Sequence, residues 1–117
     1  MKCAWKELLA LLPEWMRPEV DKVGKTQLQE LRLRLGQVPE LITAKESISL
    51  GKSTCSSDLS FCVNAASRYS PWTAQTMAKG YISCPGGHRM GLCGEAVVDQ
   101  GCIRTIKNLR SLCIRVA

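Results

Sequence analysis

The stretch Tyr81-Ile82-Ser83-Cys84-Pro85-Gly86-Gly87-His88-Arg89-Met90-Gly91-Leu92-Cys93-Gly94 decides how the chain is built. Pro85-Gly86-Gly87 is a turn sequence, because proline presets one backbone angle and glycine reaches conformations closed to other residues. On either side the pattern has a period of two. Tyr81 to Cys84 reads as a short strand. His88 to Val98 reads as a long one, with Met90, Leu92, Gly94, Ala96 and Val98 on one face. Two strands joined by so short a turn pair antiparallel. The density of glycine also lets another backbone or a ligand come close. Arg89, beside the turn, can reach a phosphate or carboxylate with its planar fork. The competing reading is a tight hairpin with a solvated arginine.

Downstream, Asp99-Gln100-Gly101 has a common hairpin-loop length and Cys102 to Ile106 returns. Ser111 to Val116 alternates again, with Leu112, Ile114 and Val116 inward and Cys113 and Arg115 outward. Upstream, Leu31, Leu33 and Leu35 alternate with Arg32 and Arg34, a half-buried strand with an arginine-bearing outer face. Gly36 and Pro39 mark a turn, Glu40 to Thr43 returns, and Ser47 to Leu50 adds a short strand. Helical spacing appears in three places. Trp5, Leu8, Leu9 and Leu12 share a face over Cys3 to Leu12, which Pro13 ends. A second helix starts near Arg17 with Pro18 in its first turn, and Gly24 ends it. Leu59, Cys62, Val63 and Ala66 share a face of a helix capped by Ser57. Ser70-Pro71 opens a further helix that carries Trp72 and Met77 and stops at Gly80. The order predicts an α+β fold: helices packed on a mostly antiparallel sheet.

The chain has 117 residues, 45% hydrophobic and 22% charged, the size and balance of one globular domain with a core of its own. Its net charge of +6 suits an anionic partner or a solvated basic face. The longest apolar run, Leu8 to Leu12, is too short for a membrane span. Seven cysteines at wide spacings, with no secretory leader visible, point to the reducing cytosol and to mostly buried thiols.

Three motifs invite chemistry. Gly51-Lys52-Ser53-Thr54 resembles the end of a phosphate-binding loop, but Glu46 stands at the first glycine position, and a polar surface loop is the better reading. Cys84, His88, Cys93 and Cys102 include only one close pair, so no metal site is expected. Cys93 follows the lone His88 by five residues with no third group to orient the imidazole, so thiol catalysis is not expected either.

Longer strings carry a resemblance. Phe61-Cys62-Val63-Asn64-Ala65-Ala66-Ser67-Arg68-Tyr69-Ser70-Pro71, the Gly80 to Gly94 stretch, Glu30 to Gly36 and Ser111 to Ala117 are similar, in order, to the amino-terminal region of the stage III sporulation protein AA family. The resemblance implies a PAS-like domain spanning residues 1–117, with 1–26 as a helical lead-in, and a RecA-like ATPase domain after Ala117 that this chain lacks. It implies a cytoplasmic ATPase in the mother cell, similar to the hexameric motors of type II and type IV secretion, that powers a channel to the forespore. Partners would be the protein's own carboxy-terminal ATPase domain, neighbouring subunits and other stage III channel proteins, with the membrane reached only through them. ATP and magnesium would belong to the full-length protein, and this fragment would hold no cofactor and hydrolyse nothing.

By the same resemblance Arg89 and Arg115, and more weakly Arg104, would face nucleotide or a subunit interface. Gly86, Gly87, His88, Gly91 and Gly94 would form the glycine-rich hairpin beside them. Cys113 departs from the polar residue, such as asparagine, that the family pattern leads one to expect, which bears on how the last strand's outer face packs. Two alternatives stand beside this role. Arg32, Arg34, Arg68, Arg110 and Arg115 could track phosphates in a nucleic-acid-binding module, although one Phe and two Tyr leave little for base stacking. Arg32 and Arg34 also read as solvated strand positions that discourage edge aggregation.

Overall fold

The alternation of buried and exposed residues along one strand, Leu28–Arg34 (β1), sets the two sides of the sheet. Leu31 and Leu33 are fully buried, while Arg32 and Arg34 are exposed. The computed structural model describes residues 5–24, 27–67, 80–99 and 102–117. Two short helices lead in, Trp5–Ala10 (α1) and Arg17–Val23 (α2), joined through a 3₁₀ turn at Glu14–Met16. After β1 come Glu40–Thr43 (β2), Ser47–Ser49 (β3), the helix Ser56–Ser67 (α3) and Tyr81–Ser83 (β4). The long pair Arg89–Asp99 (β5) and Cys102–Arg115 (β6) completes the sheet. The six strands lie in the order β3-β2-β1-β6-β5-β4, and every neighbouring pair is antiparallel. The fold is α+β, as the pattern predicts.

One side of the sheet is the core. Leu31, Leu33, Leu41, Ile82, Met90, Leu112 and Ile114 join Leu8, Leu11, Leu12, Met16 and Val20 from the lead-in and Leu59, Cys62 and Ala66 from α3 in one buried cluster. The helix face predicted at Leu59, Cys62, Val63 and Ala66 is buried throughout. No helix among the described residues is long and apolar enough to cross a membrane.

Several details differ from the sequence reading. The first helix ends at Ala10 rather than Leu12; Leu11 and Leu12 tighten onto the carbonyls of Leu8 and Leu9, the usual 3₁₀ finish ahead of a proline. Leu35 lies past the end of β1 and is 46% exposed, bridging to Thr54 instead of joining the core. The helix α3 starts one residue before Ser57, and its start is satisfied by Asp58, whose Oδ2 accepts from the Cys55 N–H at 2.9 Å. The two strands expected at Cys102–Ile106 and Ser111–Val116 are one strand. It stays continuous because Asn108, at φ 52°, absorbs a register shift opposite Gly94. Of the five cysteines with described side chains only Cys62 and Cys84 are buried; Cys55 and Cys93 are exposed. The helix expected from Ser70-Pro71, with Trp72 and Met77, lies outside the described residues, as do Gln100 and Gly101 of the hairpin loop.

Candidate functional site

The sheet's other side is open among the described residues, and it is where the arginines gather. Strand register lays two rows across it. One runs Ser83, Arg89, Arg115, Glu30, Ile42 and Ser47; the next runs Tyr81, Gly91, Cys113, Arg32, Glu40 and Ser49. Arg89 and Arg115 are therefore direct cross-strand partners, and both are exposed. Like charges placed opposite each other repel, and the two side chains find different companions. The Arg115 Nε lies 3.6 Å from Glu30 Oε1. The Arg89 guanidinium lies over the Tyr81 ring, 4.7 Å from its centre. Gly91, the direct partner of Tyr81, carries no side chain to compete for that ring.

Glu30 holds the row together. Its Oε2 accepts from Arg32 Nε at 2.6 Å while Oε1 faces Arg115. The Arg32 hydrogen bond, helped by the Cys113 thiol and the charges of Arg32 and Arg115, holds the Glu30 carboxyl below its ordinary value against the opposing effect of burial. Burial, and then the neighbouring Glu30, push the Cys113 thiol up. Arg34 pairs with Glu40 at 3.4 Å. Arg32 and Arg34 are exposed strand positions, as the sequence suggested, and the structure adds that each pairs with a carboxylate. Arg89 alone of these four faces an aromatic ring rather than a carboxylate. Arg104 is not brought to this cluster. It sits in the far half of β6 as the extra residue where pairing passes from Val97–Thr105 to Val98–Ile103.

The glycine turn closes on the chain itself. Gly86 and Gly87 both take positive φ, 86° and 85°, which a residue with a Cβ rarely adopts. His88 behind them is 1% exposed, and its Nδ1 accepts the backbone N–H of Ala117 at 3.0 Å. A Cβ at Gly87 would meet Ala117 Cβ at 3.5 Å. The backbone that comes close to this turn is thus the end of β6. Gly91 has no positive φ, and a Cβ there would make only an ordinary contact with the Cys113 carbonyl at 3.7 Å. Gly94 stands opposite the register shift of β6.

The phosphate-loop lookalike is a structural loop. Thr54 is 2% exposed; its N–H donates to the Gln37 carbonyl, and its own carbonyl accepts from Gly36. Lys52 Nζ lies 5.0 Å from the centre of the Trp15 ring. Asp58 occupies the helix start where a phosphate would sit, and Trp15 Nε1 donates to it at 3.0 Å. Burial pushes its carboxyl up, but the hydrogen bonds from Cys55 N–H, Trp15 and the Cys55 thiol, with the Lys52 charge, bring it below the ordinary value. A fixed carboxylate there repels an incoming anion. His88 is buried with its Nδ1 bonded to the Ala117 N–H, while Cys93 is exposed on the open face. Burial pushes the Cys84 thiol up to about 11. Among the described residues no three His, Cys, Asp or Glu side chains cluster as a metal site.

The sequence reading missed Glu30, Tyr81 and Asp58. The only local signal was for Asp58, a carboxylate three residues after the residue that precedes a helix.

Comparison with known proteins now decides the family. The family model described as sporulation stage III, protein AA matches residues 6–117. The chain belongs to this family. The stage III sporulation protein AA of Bacillus subtilis (strain 168) is 29% identical over 115 residues, covering 95% of this chain. The chain spans 38% of the length of that relative. No solved structure matches.

Proposed function

We propose that this chain is the accessory domain of a ring-forming ATPase of spore formation, and that its open sheet face meets the ATPase domain or a neighbouring subunit. Membership of the sporulation family supports the setting. The observation that carries the role is the cross-strand pair Arg89 and Arg115 at the carboxy-terminal end of β6, beside the anchored Val116 and Ala117. Two guanidinium groups held side by side on a face that is open among the described residues gain from an anion placed between them, whether a nucleotide phosphate or a carboxylate. ATP and magnesium would act in the remaining part of the full-length protein, and the lookalike loop at Gly51–Thr54 would take no part. The setting would be the mother-cell cytoplasm, beside other stage III channel proteins.

The test is charge reversal at Arg89 in the full-length protein. ATP turnover is expected to fall with Arg89→Glu while the domain stays folded. Unchanged turnover together with unchanged assembly rules the role out. A nucleic-acid module is the lesser reading, because among the described residues Tyr81 is the only aromatic on the open face, and Glu30 and Glu40 already engage Arg32, Arg34 and Arg115. Binding of short oligonucleotides at low salt, lost at high salt, would revive it.

A further inference from the structure

We propose that the Arg89–Arg115 pair receives a protein carboxylate, an Asp or Glu side chain of the surface that covers the sheet, and that Glu30 keeps nucleotide phosphates out of it. This rests on the anion-receiving role proposed above and names the anion. The two guanidinium groups stand on direct cross-strand partners, and both are exposed, Arg115 with 78% of its side chain accessible. The next residue in their row is Glu30. Its Oε2 accepts from Arg32 at 2.6 Å, and its Oε1 lies 3.6 Å from Arg115 Nε. An anion bound to Arg115 therefore sits beside Oε1. Glu30 is ionised near neutral pH, because Arg32, and with it the Cys113 thiol and Arg115, holds its carboxyl below the ordinary value against the effect of burial.

Charge separates the two kinds of guest. Two arginines against one glutamate leave a single surplus positive charge in the row, which one carboxylate balances. Repulsion from Glu30 grows in proportion to the charge of the guest. A carboxylate brings one negative charge, and a nucleotide di- or triphosphate brings several. The same glutamate therefore tolerates the first and opposes the second.

Geometry agrees. The Arg89 guanidinium lays its flat side on Tyr81, 4.7 Å from the ring centre, and leaves its edge for in-plane hydrogen bonds. A carboxylate is planar and meets such an edge with two parallel bonds. Phosphate sites commonly add backbone N–H groups from a helix start or a glycine loop. Here the N–H groups of Gly87, Val116 and Ala117, close to the pair in the chain, already donate to the Cys84 carbonyl, the Gln29 carbonyl and His88 Nδ1. The longest helix among the described residues, α3, packs into the core on the opposite side of the sheet.

The test uses the full-length protein carrying Arg89→Lys, treated with a carbodiimide in the absence of nucleotide. The reagent activates a carboxylate, the amine attacks it, and a urea leaves, so an amide forms where amine and acid touch. Peptide mass is expected to show position 89 linked to an Asp or Glu other than Glu30 and Glu40. If that link is absent while Arg89→Glu still lowers ATP turnover, the carboxylate assignment falls and the accessory role stands. If it is absent and Arg89→Glu leaves turnover and assembly unchanged, both fall. Glu30→Gln in the 117-residue chain gives a second readout, with pyrophosphate as the probe and the Nε–H signals of Arg89 and Arg115 followed by NMR. Removing the Glu30 charge should tighten pyrophosphate binding at least about tenfold at low salt. Equal affinity in parent and variant overturns the exclusion by Glu30.

Discussion

The two faces of the sheet are made by the same strands and obey opposite rules. Along β1 the inward residues Leu31 and Leu33 are fully buried, and the outward residues Arg32 and Arg34 are exposed and carboxylate-paired. On β6, Leu112 and Ile114 go in and Arg115 goes out. The inward face is held by removal of apolar area from water, which is large and is not screened by salt. The outward face is held by ion pairs of exposed arginines with half-buried carboxylates, each of which contributes little. An alternating strand therefore separates stability from recognition one residue at a time. The outward side can be rewritten for a partner without endangering the fold.

The sharpest way to break this contrast is Leu33→Ala. Losing a fully buried leucine should cost about 2–5 kcal/mol in urea unfolding. A loss under about 1 kcal/mol would mean the apolar face does not hold the fold.

Glu30→Gln should have a smaller effect with a distinctive pH dependence. The Glu30 carboxyl lies below its ordinary value in the folded chain, so its contribution is present above the ordinary carboxylate range and is lost as pH falls through the lowered one. The variant should therefore be less stable than the parent at neutral pH, and the gap should close in acid. A gap that stays constant with pH would remove Glu30 from its place between Arg32 and Arg115.

The smallest effect is expected for Arg34→Ala, within about 1 kcal/mol and shrinking with added salt. A larger, salt-independent loss would mean the outward face is structural after all.

Much of this division could be read from the sequence, because period two is a local signal. The Leu–Arg alternation of residues 31–34 and the Pro18 and Gly24 limits of α2 needed no tertiary knowledge. What stayed hidden depends on partners distant in the chain. The bond between His88 and Ala117 joins residues 29 apart. Glu30 gains its role only when β6 brings Arg115 alongside β1, and Arg89 and Arg115 become neighbours only through strand register. The single long β6 read as two strands because the register shift at Asn108–Arg110 breaks the period-two alternation between Ile106 and Ser111. Leu35 was misread because alternation shows which side a residue faces, not where the covering layer ends.

The proposed role requires that the open face be covered in the full-length protein. Cys93 lies on that open face and is exposed, and Cys55 at the start of α3 is exposed on the other side. The direct measurement is the rate at which a thiol reagent alkylates each, compared between the 117-residue domain and the assembled full-length protein, with modified sites read by peptide mass. Cys93 should be modified many-fold more slowly in the full-length protein, with Cys55 unchanged. Equal rates at Cys93 in the two proteins would contradict the account.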